Sequence, residues 1–394
     1  MTVAETSNAP FPRRAIDRLG VVIFALAMWG VLSPFILFRA NRIVAGETLS
    51  LLDAMPGLSG YLFLAVLVSG GVMALFRLDA RIRLGVSFAL LLMLAAGLGW
   101  AVSGVSPDGD KISRTSPALG FWLEMLAFGL LAVDSVVRLS LKPLSRLLLL
   151  AAVAVALTAI LLSGLWSDLS VMREYANNAD AFWREAGTHV ALALGSLVAA
   201  FVVGLPLGIA IHPTKRLRAV IVSVLSGLQT IPSIALFGLL IAPLAWVAAT
   251  FPAAAALGIA GIGAAPAMVA LFLYSLMPVV SNTLGGLDAV PEAANEAARG
   301  MGMTDTERLV QVQMPLAFPS ILAATRIVLV QNIGLATVAA LIGGGGFGVF
   351  VFQGVGQTAM DLVLLGAVPT VVLAFASAVI LDAAVEMVSV KGRT

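Results

Sequence analysis

The stretch from 290 to 315, VPEAANEAARGMGMTDTERLVQVQMP, is where residue type and spacing are most specific. Pro291 suits the first turn of a helix, where its missing N–H is no loss. A strongly helix-forming run follows from 292 to 298, with acidic Glu292 near the positive end of the helix dipole. Gly300 and Gly302 interrupt it, and glycine takes the left-handed conformation of a helix C-terminal cap without strain. Thr304, with Glu307 three residues on, has the spacing of a capping box for a second helix. Leu309, Val310, Val312 and Met314 give that helix an apolar side, and Pro315 is expected to end it. The chemistry is mechanical rather than bond-making. A short helix–turn–helix of this kind either docks into a groove on a partner or is a solvated loop with local helix.

A second group of residues is polar inside otherwise apolar runs. Gln229, Thr230, Pro232 and Ser233 set a helix-kinking proline among polar neighbours at mid-span, and Gln331 and Asn332 bring polarity to a later span. Polar side chains facing lipid are costly. These residues therefore either line a passage between helices or hydrogen-bond to neighbouring helices. Arg326 is expected to snorkel to the membrane surface, and Asp134 to pair with Arg138 four residues on. Glu124 is an intramembrane acid for which a proton or ion role is the lesser reading. No catalytic residue and no metal site are expected. Cysteine is absent, the two histidines, His189 and His212, lie near opposite ends of one span, and no GxxxxGK[ST] phosphate loop occurs.

The elements that position these residues are membrane helices. Apolar types make up 60% of the 394 residues and charged types 11%, against about 25% charged in a soluble domain. That excludes a cytosolic enzyme, a secreted domain and a disordered chain. Net charge is only +2, so bulk charge names no partner, and nucleic acid is not expected. A span needs roughly 20 mostly apolar residues, and the uncharged stretches accommodate about ten, the first over 19–38. The 69 uncharged residues between Arg218 and Asp288 hold two, with a break at 246–252. Placing the N-terminus inside puts 17 of the 23 Lys and Arg on the inner side, so both termini are expected in the cytoplasm. Trp100, Trp122, Trp166, Trp183 and Trp246 then fall at outer ends. The organisation expected is a cytoplasmic tail (1–18), a plain five-helix membrane block (19–166), an outer amphipathic connector (167–187) and a distinct C-terminal membrane core (188–394) containing the polar loop 288–315.

Glu296-Ala297-Ala298, three residues, Gly302, nine residues, then Val312-x-Met314-Pro315 resembles the EAA signature of ABC-importer permeases, with Val and Met in place of Ile and Leu. The segments 229–233, 271–283 and 332–348 further resemble the permeases of glycine betaine, choline and proline betaine importers. The resemblance covers about half the chain. It implies an all-α integral membrane protein with a five-helix importer core and a cytoplasmic coupling helix–turn–helix. Glu292, Glu296, Ala297, Ala298, Gly302, Thr304, Glu307 and Pro315 would serve coupling to an ATPase. Gln229, Thr230, Pro232, Ser233, Asn282, Gln331 and Asn332 would serve the passage. It also implies partners: ABC ATPase subunits that bind ATP and Mg, an extracytoplasmic solute-binding protein, a second permease subunit (a copy or a paralogue) and the bilayer of a bacterial inner membrane. No cofactor is expected in this chain. Selectivity is expected in the binding protein, since no Trp/Tyr cluster able to box a quaternary ammonium is evident. An importer for methionine or another small nitrogenous solute is the alternative, and an ion-coupled secondary transporter the distant one.

Overall fold

The computed structural model describes residues 16–41, 44–105 and 112–391, apart from the side chains of 389–391. Most of the tail 1–18 and the charges Arg13, Arg14, Arg42, Lys111 and Arg393 of the orientation count lie outside the described residues. Among the described residues, eight helices are long and apolar enough to cross a membrane, joined by two shorter apolar ones. The short pair are α1 (Arg18–Leu32) and α2 (Leu58–Ala74). At ~1.5 Å per residue they reach about 22–26 Å, short of the ~30 Å hydrocarbon core. In chain order there follow α3 (Ala80–Val105), α4 (Leu119–Leu139), α5 (Pro143–Leu162), α6 (Ala179–Ile211), α7 (Lys215–Thr230), α8 (Ser233–Thr250), α9 (Ala264–Asp288), α10 (Glu292–Gly300), α11 (Met314–Val338), α12 (Gly348–Gly356) and α13 (Met360–Lys391). The protein is an all-α membrane protein, and its described residues include one small sheet.

Two compact units divide the chain. The first takes in residues up to Lys142 together with Ala152–Arg173; the second takes Pro143–Ala151 and everything from Glu174. In the first, α1 packs on α2 and α4, and α3 packs on α4. It is not a plain helical block. The apolar run 19–38 does not stay helical, because Pro34 pushes Ser33 into extended backbone (φ −94°, ψ 158°). The residues after it form β1 (Ile36–Arg39), the central strand of an antiparallel sheet with β2 (Glu47–Leu49) and β3 (Arg114–Pro117). Ile36 pairs with Leu49 on one side and Pro117 on the other. Phe35 beside it meets Phe63 and Phe121 edge-on, with ring centroids 6.1 and 6.0 Å apart. Trp166 is half-buried, and its indole N–H donates to the Ala95 carbonyl at 2.8 Å.

The Asp134–Arg138 pair forms at 2.8 Å and belongs to a larger cluster. Fully buried Arg83 reaches Asp17 at 2.7 Å and Asp134 at 3.3 Å, and Arg138 also reaches Asp17 at 2.5 Å. Burial alone would raise the Asp17 carboxyl, but the two guanidiniums outweigh it and hold it below the ordinary carboxylate range. Glu124 is 1% exposed and lies against Gly30, where a Cβ would come within 3.1 Å of its Oε1.

In the second unit α9 is the central helix, packed on α6, α7, α8 and α11, while α11 and α12 pack on α13. Close approach is written into the sequence: a Cβ on Gly208 would meet Thr283 at 2.9 Å, and one on Gly286 the Ala317 carbonyl at 2.9 Å. The stretch expected as a surface connector divides at Asn178. A short helix covers Ser170–Asn177, and 179–187 are the first turns of α6. The uncharged stretch 218–288 breaks at two places, Ile231-Pro232 and 251–263, rather than one. Arg326 does not snorkel alone. It pairs with Asp382 of α13, which also binds Arg146 at 2.9 Å.

Candidate functional site

The segment 288–315 forms two arms joined by a turn. Pro291 occupies the N-cap one residue before the helix, with extended backbone (φ −57°, ψ 133°), and its carbonyl takes the first helical N–H groups, from Ala294 and Asn295, at 3.0 and 3.3 Å. In α10, Glu292 lies in the first turn and Arg299 in the last, so both ends complement the helix dipole. Ala298 is 1% exposed and anchors the helix inward, whereas Glu296 and Ala297 stand exposed. Gly302 takes the left-handed conformation (φ +81°). The turn it makes sends the Met303 N–H to the Ala298 carbonyl at 3.1 Å and its own N–H to Arg299 at 3.0 Å. These bonds satisfy carbonyls that would otherwise end the helix unpaired.

The second arm opens with the capping box: the Glu307 N–H donates to Thr304 Oγ1 at 3.3 Å, and the Thr304 N–H donates to Glu307 Oε2 at 2.8 Å. Pro315 does not end this arm. A helix over Asp305–Arg308 passes through one π-helical turn, Leu309–Gln313, into α11, with Pro315 in its first turn. The ring removes an N–H and crowds the carbonyl four residues back. Widening the preceding turn accommodates it, and the Met314 N–H reaches back to the Leu309 carbonyl. The expected helix–turn–helix is therefore one separate helix followed by the leading end of a span. Leu309 and Met314 pack beneath it with Leu287, Ala317 and Ile321, while Val310 is exposed. A further contact joins the arms: Gln313 Nε2 donates to Asn295 Oδ1 at 2.9 Å. Neither residue stands out in the sequence, because a lone amide carries no spacing signal.

The expected passage residues separate into three places. Pro232 starts a helix instead of kinking one: α7 stops at Thr230, Ile231 is extended (φ −70°, ψ 127°), and α8 begins at Ser233. Gln229 and Thr230 are exposed and Ser233 is half-buried. Gln229 Nε2 donates to the Tyr274 carbonyl at 3.1 Å, and the Tyr274 hydroxyl donates back to the Ile231 carbonyl at 2.5 Å. Asn282, half-buried on α9, donates to the Pro278 carbonyl of its own helix at 2.8 Å. Gln331 is half-buried on α11.

Asn332 requires a correction. It is fully buried, and its Nδ2 donates to Ser196 Oγ of α6 at 2.8 Å and to Ser275 Oγ of α9 at 2.9 Å. In this conformation it presents nothing to a passage. A buried amide in a helix bundle is satisfied by its neighbours, and such interhelical bonds contribute about 0.6–2 kcal/mol each. Gln229 and Asn332 thus converge on consecutive residues of α9, Tyr274 and Ser275. Spacing alone could not show those two, since a single Tyr or Ser in a span marks no face.

At the opposite end of the unit from α10, three glycines of the run 343–346 have positive φ (Gly343 +76°, Gly345 +77°, Gly346 +85°). The turn is held to α6: the Gly346 N–H donates to Glu185 Oε2 at 2.8 Å and the Phe347 N–H to His189 Nδ1 at 3.3 Å. An aromatic cluster lies beside this turn. Phe182 lies 5.2 Å from Tyr175, 5.5 Å from Trp183 and 5.4 Å from Phe347. The Tyr175 and Trp183 rings meet Phe182 edge-on and Phe347 meets it tilted, so the cluster packs beside the turn.

The family described as binding-protein-dependent transport system inner membrane component matches residues 191–391. The domain described as ABC transporter permease YehY, N-terminal domain, matches residues 17–172. The osmoprotectant import permease protein OsmW of Salmonella typhimurium is 41% identical over 185 residues, 47% of this chain and 80% of that one. The glycine betaine/carnitine/choline transport system permease protein OpuCB of Bacillus subtilis is 33% identical over 208 residues, 53% and 88% of the two chains. The choline transport system permease protein OpuBB of the same organism is 34% identical over 186 residues, 47% and 78%. Among solved structures, an inward-facing form of the MetNI methionine ABC transporter aligns with a TM-score of 0.48 at 22% identity, over 54% of this chain and 98% of that one.

Proposed function

Because the chain belongs to the binding-protein-dependent transport system inner membrane components, the permease subunits of ABC importers, we propose that it carries an osmoprotectant such as glycine betaine, choline or proline betaine across the bacterial cytoplasmic membrane. ATP is hydrolysed on a separate partner subunit, which holds the nucleotide and its Mg²⁺. An extracytoplasmic binding protein delivers the solute, and a second permease subunit, a copy or a paralogue, completes the passage. Family membership removes the ion-coupled alternative. The substrate class rests on relatives whose names specify osmoprotectants, glycine betaine, carnitine and choline. Quaternary ammonium ions are recognised by open aromatic cages. Selectivity for such an ion then belongs to the binding protein, since the sequence offers no Trp/Tyr cluster of the kind that boxes a quaternary ammonium.

The observation that carries the coupling role is the loop itself. α10 is held from beneath by buried Ala298, closed by the left-handed turn at Gly302, and presents Glu296 and Ala297 outward. The excess of lysine and arginine on the inner side supports a cytoplasmic position for this loop and for both termini. Closure of the ATPase pair then pushes the loop and tilts the core between inward-open and outward-open states, two conformations biased by ATP and by the docked binding protein. The test is entry of labelled glycine betaine at high osmolarity into cells lacking all betaine uptake, with this chain expressed beside its own ATPase and binding protein. ATP-dependent entry, competed by unlabelled choline or proline betaine, is expected. An assembled, ATP-hydrolysing complex that moves none of these solutes would overturn the substrate assignment.

A further inference from the structure

The root of the coupling loop is clasped from outside the loop. Asp288, the last residue of α9, takes Arg218 of α7 on both carboxylate oxygens: Nη1 to Oδ1 at 3.1 Å and Nη2 to Oδ2 at 2.7 Å. His212, the C-cap of α6, lies 3.2 Å from the same Oδ1. Three elements thus meet four residues before α10 begins. A two-pronged guanidinium–carboxylate pair fixes geometry as well as distance. Its contribution to stability is small, because both side chains are more than a third exposed. What it does is position.

The far end of α7 is tied to the same helix. Gln229 and Ile231 bond to Tyr274 in both directions, as described above. Arg218 and Gln229 are eleven positions apart on α7, and Tyr274 and Asp288 fourteen positions apart on α9, spans of about 17 and 21 Å at ~1.5 Å per residue. Leu225 is buried between them, with Leu276, Val280 and Leu284. α7 is otherwise amphipathic, with exposed Lys215, Arg216, Leu217 and Val220. It is therefore a strut lying along α9, bonded at both ends and free on its outer side.

We infer that α7 transmits loop movement to the polar break at 229–233, and that Arg218 and Asp288, supported by His212, are positioning residues for energy coupling. Displacement of α10 pulls on Asp288. The clasp passes the pull to α7, and α7 moves the Gln229–Ser233 break against Tyr274. This rests on the permease reading above and on the loop's coupling role. Without the clasp, loop movement is absorbed at the α9–α10 junction, so ATP is hydrolysed with less solute moved.

The test uses the reconstituted complex and reads two quantities, ATP hydrolysis and labelled betaine moved per ATP. Asp288→Asn keeps shape and removes the charge. It is expected to leave hydrolysis within about twofold and to lower solute per ATP at least fivefold. Arg218→Asp combined with Asp288→Arg re-forms the pair reversed and is expected to restore at least half the ratio. An unchanged ratio in Asp288→Asn would overturn the proposal. So would a reversed pair that assembles but recovers no coupling. If Asp288→Asn fails to assemble, the reversed pair decides alone: recovery of assembly together with the ratio supports the clasp, and recovery of assembly without the ratio refutes it. Failure of the permease reading would look different, because the unaltered complex itself would then show no ATP-dependent uptake.

Discussion

Betaine uptake is expected to fall about ten- to hundredfold when Gly302 is replaced by valine, with the chain still reaching the membrane in near-normal amount. Gly302 sits at φ +81°, and nothing lies within 4 Å of where a Cβ would be. The replacement therefore collides with no neighbour, and its whole cost is in the backbone. A β-branched residue at positive φ is a conformational outlier, and such strain costs about 1–3 kcal/mol. The turn relieves it by moving to negative φ, which takes the Met303 N–H from the Ala298 carbonyl and re-aims α10. Since 1.4 kcal/mol corresponds to about a factor of ten, strain of that size in the coupling element translates into the stated loss. Gly300 is the control. It is helical, also without neighbours within 4 Å, and its φ is not positive. Gly300→Ala should leave uptake unchanged and favour the helix by about 0.5–1 kcal/mol. Parallel uptake and membrane-abundance measurements on the two variants check both halves. Equal uptake in Gly302→Val and the unaltered chain would sink the coupling assignment.

Gly348→Ala is expected to be more damaging, and for a different reason. A Cβ at Gly348 would lie 1.8 Å from the Thr337 carbonyl oxygen and 2.7 Å from its carbon. Both are backbone atoms near the end of α11, so no side chain can swing aside. The start of α12 would have to leave α11, taking with it the turn that Glu185 and His189 hold. Overpacking that forces backbone apart belongs to the class of substitutions costing more than about 4 kcal/mol. The variant should accumulate at less than about a tenth of the normal level, measured by quantitative immunoblot of membranes. Gly356→Ala, in the same helix but with open space around it, should accumulate normally.

Local signals of the loop were legible because they depend on neighbours in sequence. The Thr304–Glu307 box and the left-handed Gly302 are decided within a few residues, and an uncharged apolar run of about twenty residues marks a span whatever it packs against. Features that needed a third helix were not legible. Asn332 looks identical as a passage residue or as a packing knot until Ser196 and Ser275 are placed beside it. Composition could not separate the apolar strand Ile36–Arg39 from the helix before it, since lipid-facing helix and buried strand draw on the same residue types. The signal was Pro34, a stop placed inside an uninterrupted apolar run. Pro315 erred in the other direction, because a helix end leading into a span tolerates the ring by widening one turn. Arg218 and Asp288 read as ordinary charges bounding an apolar stretch, and His212 as a residue near the end of a span. Their meeting is a property of how α6, α7 and α9 end together.

The central claim is that the loop 288–315 is cytoplasmic and bears on an ATPase. The absence of cysteine means that Ala297→Cys would introduce the sole thiol of the chain, at an exposed position of α10. The measurement is cross-linking of that thiol, in membranes holding the assembled complex, with and without MgATP. A cross-link to the ATPase subunit, altered in yield by MgATP and protected from impermeant thiol reagents added outside intact cells, is the expected result. Labelling of the introduced thiol from outside, with no cross-link to the ATPase, would contradict it.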